Sequence, residues 1–228
     1  MTFDADLDFA PWRLSGVVYG TLLNDPEALA LLGQQVNQPP YKAPPQAPVL
    51  YLKPRNTLAG DGSVILTPSP TTPVRIGASL GIIIGTTACR VPEATALEVV
   101  AGYAVVNDVC LPHDNFYRPS LRFNARDGFC PIGPRRCAAD VPDPDALPVR
   151  TYVDDVLVHD TSTAGLRRPL RRLIADVTAF MTLQAGDLLL LGVRAGAPLV
   201  LPSASRTRVE IAGIGALSNR LGVEECAA

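Results

Sequence analysis

Lysine is almost missing from this chain: Lys42 and Lys53 are the only two, against eighteen arginines. The imbalance reads as codon bias rather than mechanism. Charge of either sign is sparse, with 18% of residues ionisable, a net charge of −2 and a pI near 5.7. No broad basic face is implied, so nucleic acid is not an expected partner. The five cysteines (Cys89, Cys110, Cys130, Cys137, Cys226) are odd in number and form no CxxC pair. That excludes a zinc-type spacing and points to reduced thiols in a cytoplasmic protein. No apolar run approaches the roughly 18 residues that span a bilayer, so no membrane association is expected. The stretch Met1 to Asp8 is acidic and does not read as a secretory leader. There is no strand-to-helix GxGxxG turn, no phosphate-binding GK[ST] loop and no GxSxG elbow.

Apolar residues and turn formers are what the chain does have. Hydrophobic residues make up 47% of 228, enough for a substantial core, and 22 prolines and 18 glycines impose many turns. Residues 13–23 read as a strand, and Asp25 and Pro26 open a helix over 26–36 as N-cap and first helical residue. Val49 to Lys53 and Ser63 to Leu66 read as strands. Val74 to Ile84 is the most apolar part of the first half, and Ile82 to Ile84 reads as a strand buried on both faces. A helical turn at Pro92 to Leu97 and a strand at Val99 to Val109 follow. Residues 112–148 read as one long polar loop, of a length usually reserved for function. Arg150 to His159 reads as a hairpin turning at Asp154 and Asp155. Residues 166–183 carry a helical apolar stripe through Leu170, Leu173, Ile174, Val177 and Phe180. Leu188 to Leu191, Arg208 to Ile211 and Ile214 to Leu217 close the chain as strands. Many strands, few helices and no βαβ alternation give a β-rich α+β fold. One domain is expected over 1–228, with residues 1–48 as an N-terminal strand, helix and proline-rich segment and 49–219 as the core.

Chemistry is thinly signalled. His113 lies beside Asp114 in the polar loop, and His159 ends a strand, where a structural role is expected. Cys110 and Cys130 have no base or positive field in the local sequence, so neither reads as a nucleophile. Asp108, at the end of an apolar strand, is a candidate ligand for a divalent cation or a cap for the loop that follows.

A series of segments in fixed order adds to this. Lys53 and Pro54 follow a strand; then come Leu80 to Gly85, Ala101 to Asp108, Cys130 to Pro134, Leu183 to Gly192 and Gly213 to Asn219. This order resembles the fumarylacetoacetate hydrolase family. Tyr41 to Pro45, Lys53 to Thr57, Phe116 to Pro119 and Arg126 to Gly133 bring it closer to the branch of isomerase/decarboxylases of homoprotocatechuate (4-hydroxyphenylacetate) degradation. Members of that branch are built from two related halves, and this chain has the length of one. The resemblance implies a fold of curved mixed sheets with a few short helices. It also implies magnesium held by a Glu-x-Glu pair and an Asp, acting as a Lewis acid on 2-oxo acids. The substrates implied are 5-oxopent-3-ene-1,2,5-tricarboxylate and 2-hydroxyhepta-2,4-dienedioate, so the small-molecule partner is a dicarboxylate or tricarboxylate. A homodimer, or a heteromer with an intact homologous half, is implied as well.

Against that pattern this chain departs at most of the site. The family's Glu-x-Glu falls on Gly77, Ala78 and Ser79, while its Asp is present as Asp108. Pro112 stands for the family's Arg, Asn115 for its Gln, Asn124 for its Lys, and Gly192-Val193-Arg194 for Gly-Thr-Pro. Asp108 is then the only metal ligand of the three, too few for magnesium. Candidates for catalysis by a rearranged site are His113, Asp114, Arg126 and Asp127 together with Asp108. Lys53, Asn124 and Arg126 are candidates for binding substrate. The alternatives are a half with a degenerate metal site that supports an active partner, and a silent structural or dicarboxylate-binding module. Glutamates restored at Gly77 and Ser79 are expected to rebuild a cation site, and Arg126 is expected to pair with a carboxylate or an anion.

Overall fold

The structure, a computed structural model, describes residues 16–113, 120–202 and 206–224. Its first part runs β1 (Val18–Leu22), α1 (Pro26–Ala30), β2 (Val49–Lys53), β3 (Leu58–Ala59), β4 (Val64–Thr67), β5 (Val74–Arg75), β6 (Ala78–Ile84) and β7 (Val100–Asn107). The second part runs α2 (Leu121–Asn124), β8 (Cys130–Cys137), β9 (Pro148–Val153), β10 (Val156–Ser162), α3 (Leu170–Thr178), β11 (Leu188–Leu190), β12 (Leu199–Val200), β13 (Arg206–Ile211) and β14 (Gly215–Val223). Short 3-10 turns fill Gly33–Asn37, Arg55–Thr57, Glu93–Val99 and Ala138–Asp140.

Seven strands form a mixed sheet in the order β2-β1-β11-β6-β7-β8-β3, and five form a second sheet, β10-β9-β13-β14-β4. The large sheet is not flat. Its edge strands, β2 and β3, are joined by residues 54–57 alone. A flat sheet of this order would hold those edges roughly 29 Å apart, whereas so short a connection reaches about 18 Å at most. The sheet therefore curls until its edges nearly meet. The curl accounts for two apolar clusters. Val18, Ile83, Ala104, Val106, Ile132, Leu188 and Leu190 fill the inside. The convex face packs through Leu80, Ile82, Ile84 and Val105 against the second sheet and α3. Covered on both faces, β6 is buried at all seven positions, as the Ile82 to Ile84 run predicts.

Local rules hold where they were strongest. Asp25 caps α1 through Glu27 N, with Pro26 in the first turn. The hairpin between β9 and β10 turns at Asp154 and Asp155, both with positive φ, the two-residue turn that matches strand twist. Helix α3 buries Leu170, Leu173, Ile174 and Val177 as expected. It is shorter than 166–183, because Pro169 cannot sit inside a helix and instead starts it. Phe180 lies beyond its end and is exposed.

Residues 112–148 are the main correction. They hold α2, the 3-10 turn and β8, an interior strand of the large sheet. Pro131, Gly133 and Pro134 read as loop punctuation. The strand tolerates them because its pairing with β7 is bulged and its pairing with β3 covers only two residues. Gly133 also lets β8 lie against Leu217 of the second sheet.

Candidate functional site

Strand alternation builds the site. On β6 the residues that face the inside of the curl are Ile83, Gly81 and Ser79, and the same parity continues through Gly77 to Arg75. On β7 it runs Ala104, Val106 and then Asp108. The inward row of β2 ends in Tyr51 and Lys53. The interior is thus apolar in the middle and polar at its mouth.

Asp108 is closed off by its neighbours. Lys53 Nζ lies 2.8 Å from Asp108 Oδ1, both groups being almost wholly buried. The same ammonium donates to the carbonyls of Val109 at 2.7 Å and of Asn124 and Phe129 at 3.0 Å. Tyr51 Oη donates to Asp108 Oδ2. Its ring crosses the sheet over Gly20, the residue paired with it on β1, where a Cβ would collide with the ring. Burial, and then the Asp108 carboxylate, push the Tyr51 hydroxyl well above its usual pKa of about 10.

At Gly77 and Ser79, where the resemblance would place the family's glutamates, the backbone has closed in. A Cβ on Gly77 would collide with the Asp108 carbonyl oxygen and come within 2.8 Å of Val193 Cγ2. Asp108 N donates to Gly77 O at 2.7 Å, which fixes that approach. Ser79 Oγ bonds both the N–H and the carbonyl of Gly192, at 3.2 and 3.3 Å. The expectation that glutamates here would rebuild a cation site is therefore corrected, because position 77 has no room for a side chain. Among the described residues no three His, Cys, Asp or Glu side chains come together as a metal cluster.

A cavity of about 430 Å³ opens beside Asp108. Its polar lining includes Tyr51, Arg75, Cys110, Ser120, Asn124 and Arg194, and its apolar lining includes Leu22, Leu23, Leu31 and Leu32 from β1 and the region of α1. Arg194 faces Asp25 Oδ1 at 3.2 Å, and Asp25 Oδ2 accepts from Ala195 N at 2.6 Å, which ties the α1 cap to the cavity rim. His159 supports the same rim through Ala195 O at 3.0 Å, the structural role expected of it.

The sequence candidates separate. Asp108, His113 and Asn124 line the cavity. His113 stacks on Phe123 and its Nδ1 contacts Leu111 O at 3.0 Å. Lys53 does not line it; its ammonium serves Asp108 and three carbonyls, so a substrate contact is corrected to a supporting one. Arg126 and Asp127 are likewise elsewhere. Arg126 pairs with Glu224, a carboxylate as expected, but on the outer side of the molecule. Asp127 is exposed and accepts from Asn56 Nδ2 at 2.7 Å. Asp114 and Asn115 lie outside the described residues. Tyr51 and Arg75 were missed. Tyr51 stands two residues before Lys53, hence on its face of the strand. Arg75 is the one charge in the apolar stretch from Val74 to Ile84, two residues before Gly77. Cys110 is held above the usual thiol range by burial, with Asp108 raising it further and Arg75 and Lys53 opposing.

Residues 17–222 match the family model for the fumarylacetoacetate hydrolase C-terminal domain. The chain belongs to the fumarylacetoacetate hydrolase family. This family member is 36% identical over 212 residues to the 4-hydroxyphenylacetate degradation bifunctional isomerase/decarboxylase of Salmonella dublin, covering 93% of the chain and 48% of that relative. It thus spans about half the length of the curated relative. Among solved structures it superposes on 5-carboxymethyl-2-hydroxymuconate delta-isomerase from Mycobacterium smegmatis with a TM-score of 0.77 and 28% identity, over 93% of this chain and 80% of that one. Maleylpyruvate hydrolase from Sphingobium, in complex with manganese(II) and pyruvate, gives 0.75 and 28%, over 94% and 72%. No helix among the described residues is long and apolar enough to cross a membrane.

Proposed function

We propose that this chain, one domain over residues 1–228, is a half or subunit of a homoprotocatechuate-type isomerase/decarboxylase with a degenerate metal site of its own. It acts in the cytoplasm, paired with itself or with an intact homologous half. The substrates of the assembly are 5-oxopent-3-ene-1,2,5-tricarboxylate and 2-hydroxyhepta-2,4-dienedioate. One observation carries the reading: Asp108, the only carboxylate at the metal position among the described residues, already accepts from Lys53 and Tyr51. Magnesium needs close to six oxygens and usually more than one protein carboxylate. Here it would face a buried ammonium, with Gly77 and Ser79 offering no charge. The residues do not fit the metal, and no catalytic step is assigned to it in this chain.

The test is to assay the purified chain with magnesium or manganese, alone and with an intact homologue. Turnover is expected only in the mixture, together with a complex in sedimentation. Metal-dependent decarboxylation or isomerisation by the chain alone would overturn the reading and favour a rearranged site at Asp108 and His113.

A further inference from the structure

The cavity beside Asp108 contains three charged side chains, and only one of them is left over. Asp108 is neutralised by Lys53, and Arg194 faces Asp25. Arg75 has no carboxylate partner among the described residues. Among those residues its side chain hydrogen-bonds only Cys110 Sγ, at 4.0 Å. It is half-buried between Val74 and Ile76, both fully buried. A guanidinium left without a counter-ion in such a place is an anion site waiting for its ligand, because a planar fork matches a carboxylate in a bidentate way.

The Asn124 amide, on the same lining, is held by Ser120 Oγ at 2.8 Å. The remaining wall is apolar, and Leu31 stands 75% exposed at the mouth.

We infer that this cavity binds a small carboxylate without metal, its carboxylate on Arg75 and its short unsaturated or aliphatic body against the leucines around α1. Arg75 stands two residues before the first missing glutamate, so one fixed cation takes over the anchoring charge that a metal would supply. The inference goes beyond the silent-half reading, since a half without a metal could equally have lost its ligand.

Titration calorimetry of the full chain in excess EDTA tests it, with sorbate as the probe, acetate to remove the apolar body and sorbamide to remove the charge. Sorbate is expected to bind, with acetate and sorbamide each at least about tenfold weaker. Arg75→Ala should weaken sorbate by about ten- to a hundredfold, the range of a charge-assisted bond. Arg75→Lys should fall between, and it decides the matter if the alanine variant does not fold. Absence of sorbate binding, equal binding of sorbamide, equal binding by both variants, or loss of binding on adding EDTA would each overturn it. None of these depends on turnover, so this inference and the silent-half reading fail separately.

Discussion

Lys53 and Arg75 are cations near one cavity, and they have opposite fates. The Lys53 ammonium is buried and surrounded by four oxygens, one of them the Asp108 carboxylate. Arg75, on the same inward parity as Gly77, has a thiol at 4.0 Å and, among the described residues, no carboxylate. The first has become part of the fold, and the second is free to act on a ligand. The difference lies in the curl of the sheet. In a flat sheet β2 and β7, four strand spacings apart, would lie roughly 19 Å from each other, and Lys53 could not reach Asp108. The closed mouth brings them together and leaves Arg75 facing the open cavity.

The sharpest way to break this contrast is at Lys53. Lys53→Met should destabilise the chain by about 3–5 kcal/mol, because it strands a buried carboxylate and removes the donor to three carbonyls. Denaturant unfolding measures it, and pairing the change with Asp108→Leu should recover part of the loss. A cost below about 1 kcal/mol would mean that Asp108 is open to solvent and to cations. Gly77→Glu should come next, costing more than about 1–3 kcal/mol through overpacking against the Asp108 carbonyl. With Ser79→Glu added it should give no magnesium-dependent rise in melting temperature. A clear rise would restore the cation site that position 77 is read as excluding.

Tyr51→Phe removes one bond to a charged group and should cost about 1.5–3 kcal/mol. It also carries a pH signature. The folded chain holds the Tyr51 proton more tightly than the unfolded chain, so this contribution is complete below about pH 10 and is lost as pH rises beyond it. Tyr103, raised to about 12 by burial and by Asp145, adds a loss between 10 and 12. Unfolding free energy should therefore fall along an alkaline limb, and Tyr51→Phe should make that limb shallower; an unchanged slope would show that the Tyr51 hydroxyl is not buried beside Asp108. The smallest effect belongs to Arg75→Ala. Half-buried and without a carboxylate, it should shift stability by no more than about 0.5 kcal/mol. A loss as large as that at Lys53 would make both cations structural and erase the contrast.

Much of the local structure was legible in the residues. Asp25 and Pro26 announced α1, Asp154 and Asp155 the hairpin, and the Ile82 to Ile84 run a strand covered on both faces, because caps, turns and periodicity are short-range properties. Strand β8 was not legible, since its prolines and glycine carry a turn signature that only bulged pairing on one side and a two-residue pairing on the other make tolerable. Asp108 was legible as the strand-end carboxylate. The sorting of Lys53, Arg126 and Asp127 away from the cavity was not.

What the sequence determined by itself is the strand alternation: Arg75, Gly77 and Ser79 on one parity, Tyr51 and Lys53 on another strand's, each a consequence of a two-residue period. Only the tertiary structure decided which of those rows meet. Closing seven strands through residues 54–57 carried Lys53 and Tyr51 onto Asp108, and Gly20 left space for the Tyr51 ring to cross. Contacts between residues more than fifty positions apart depend on how far a sheet curls, and strand periodicity carries no measure of curvature.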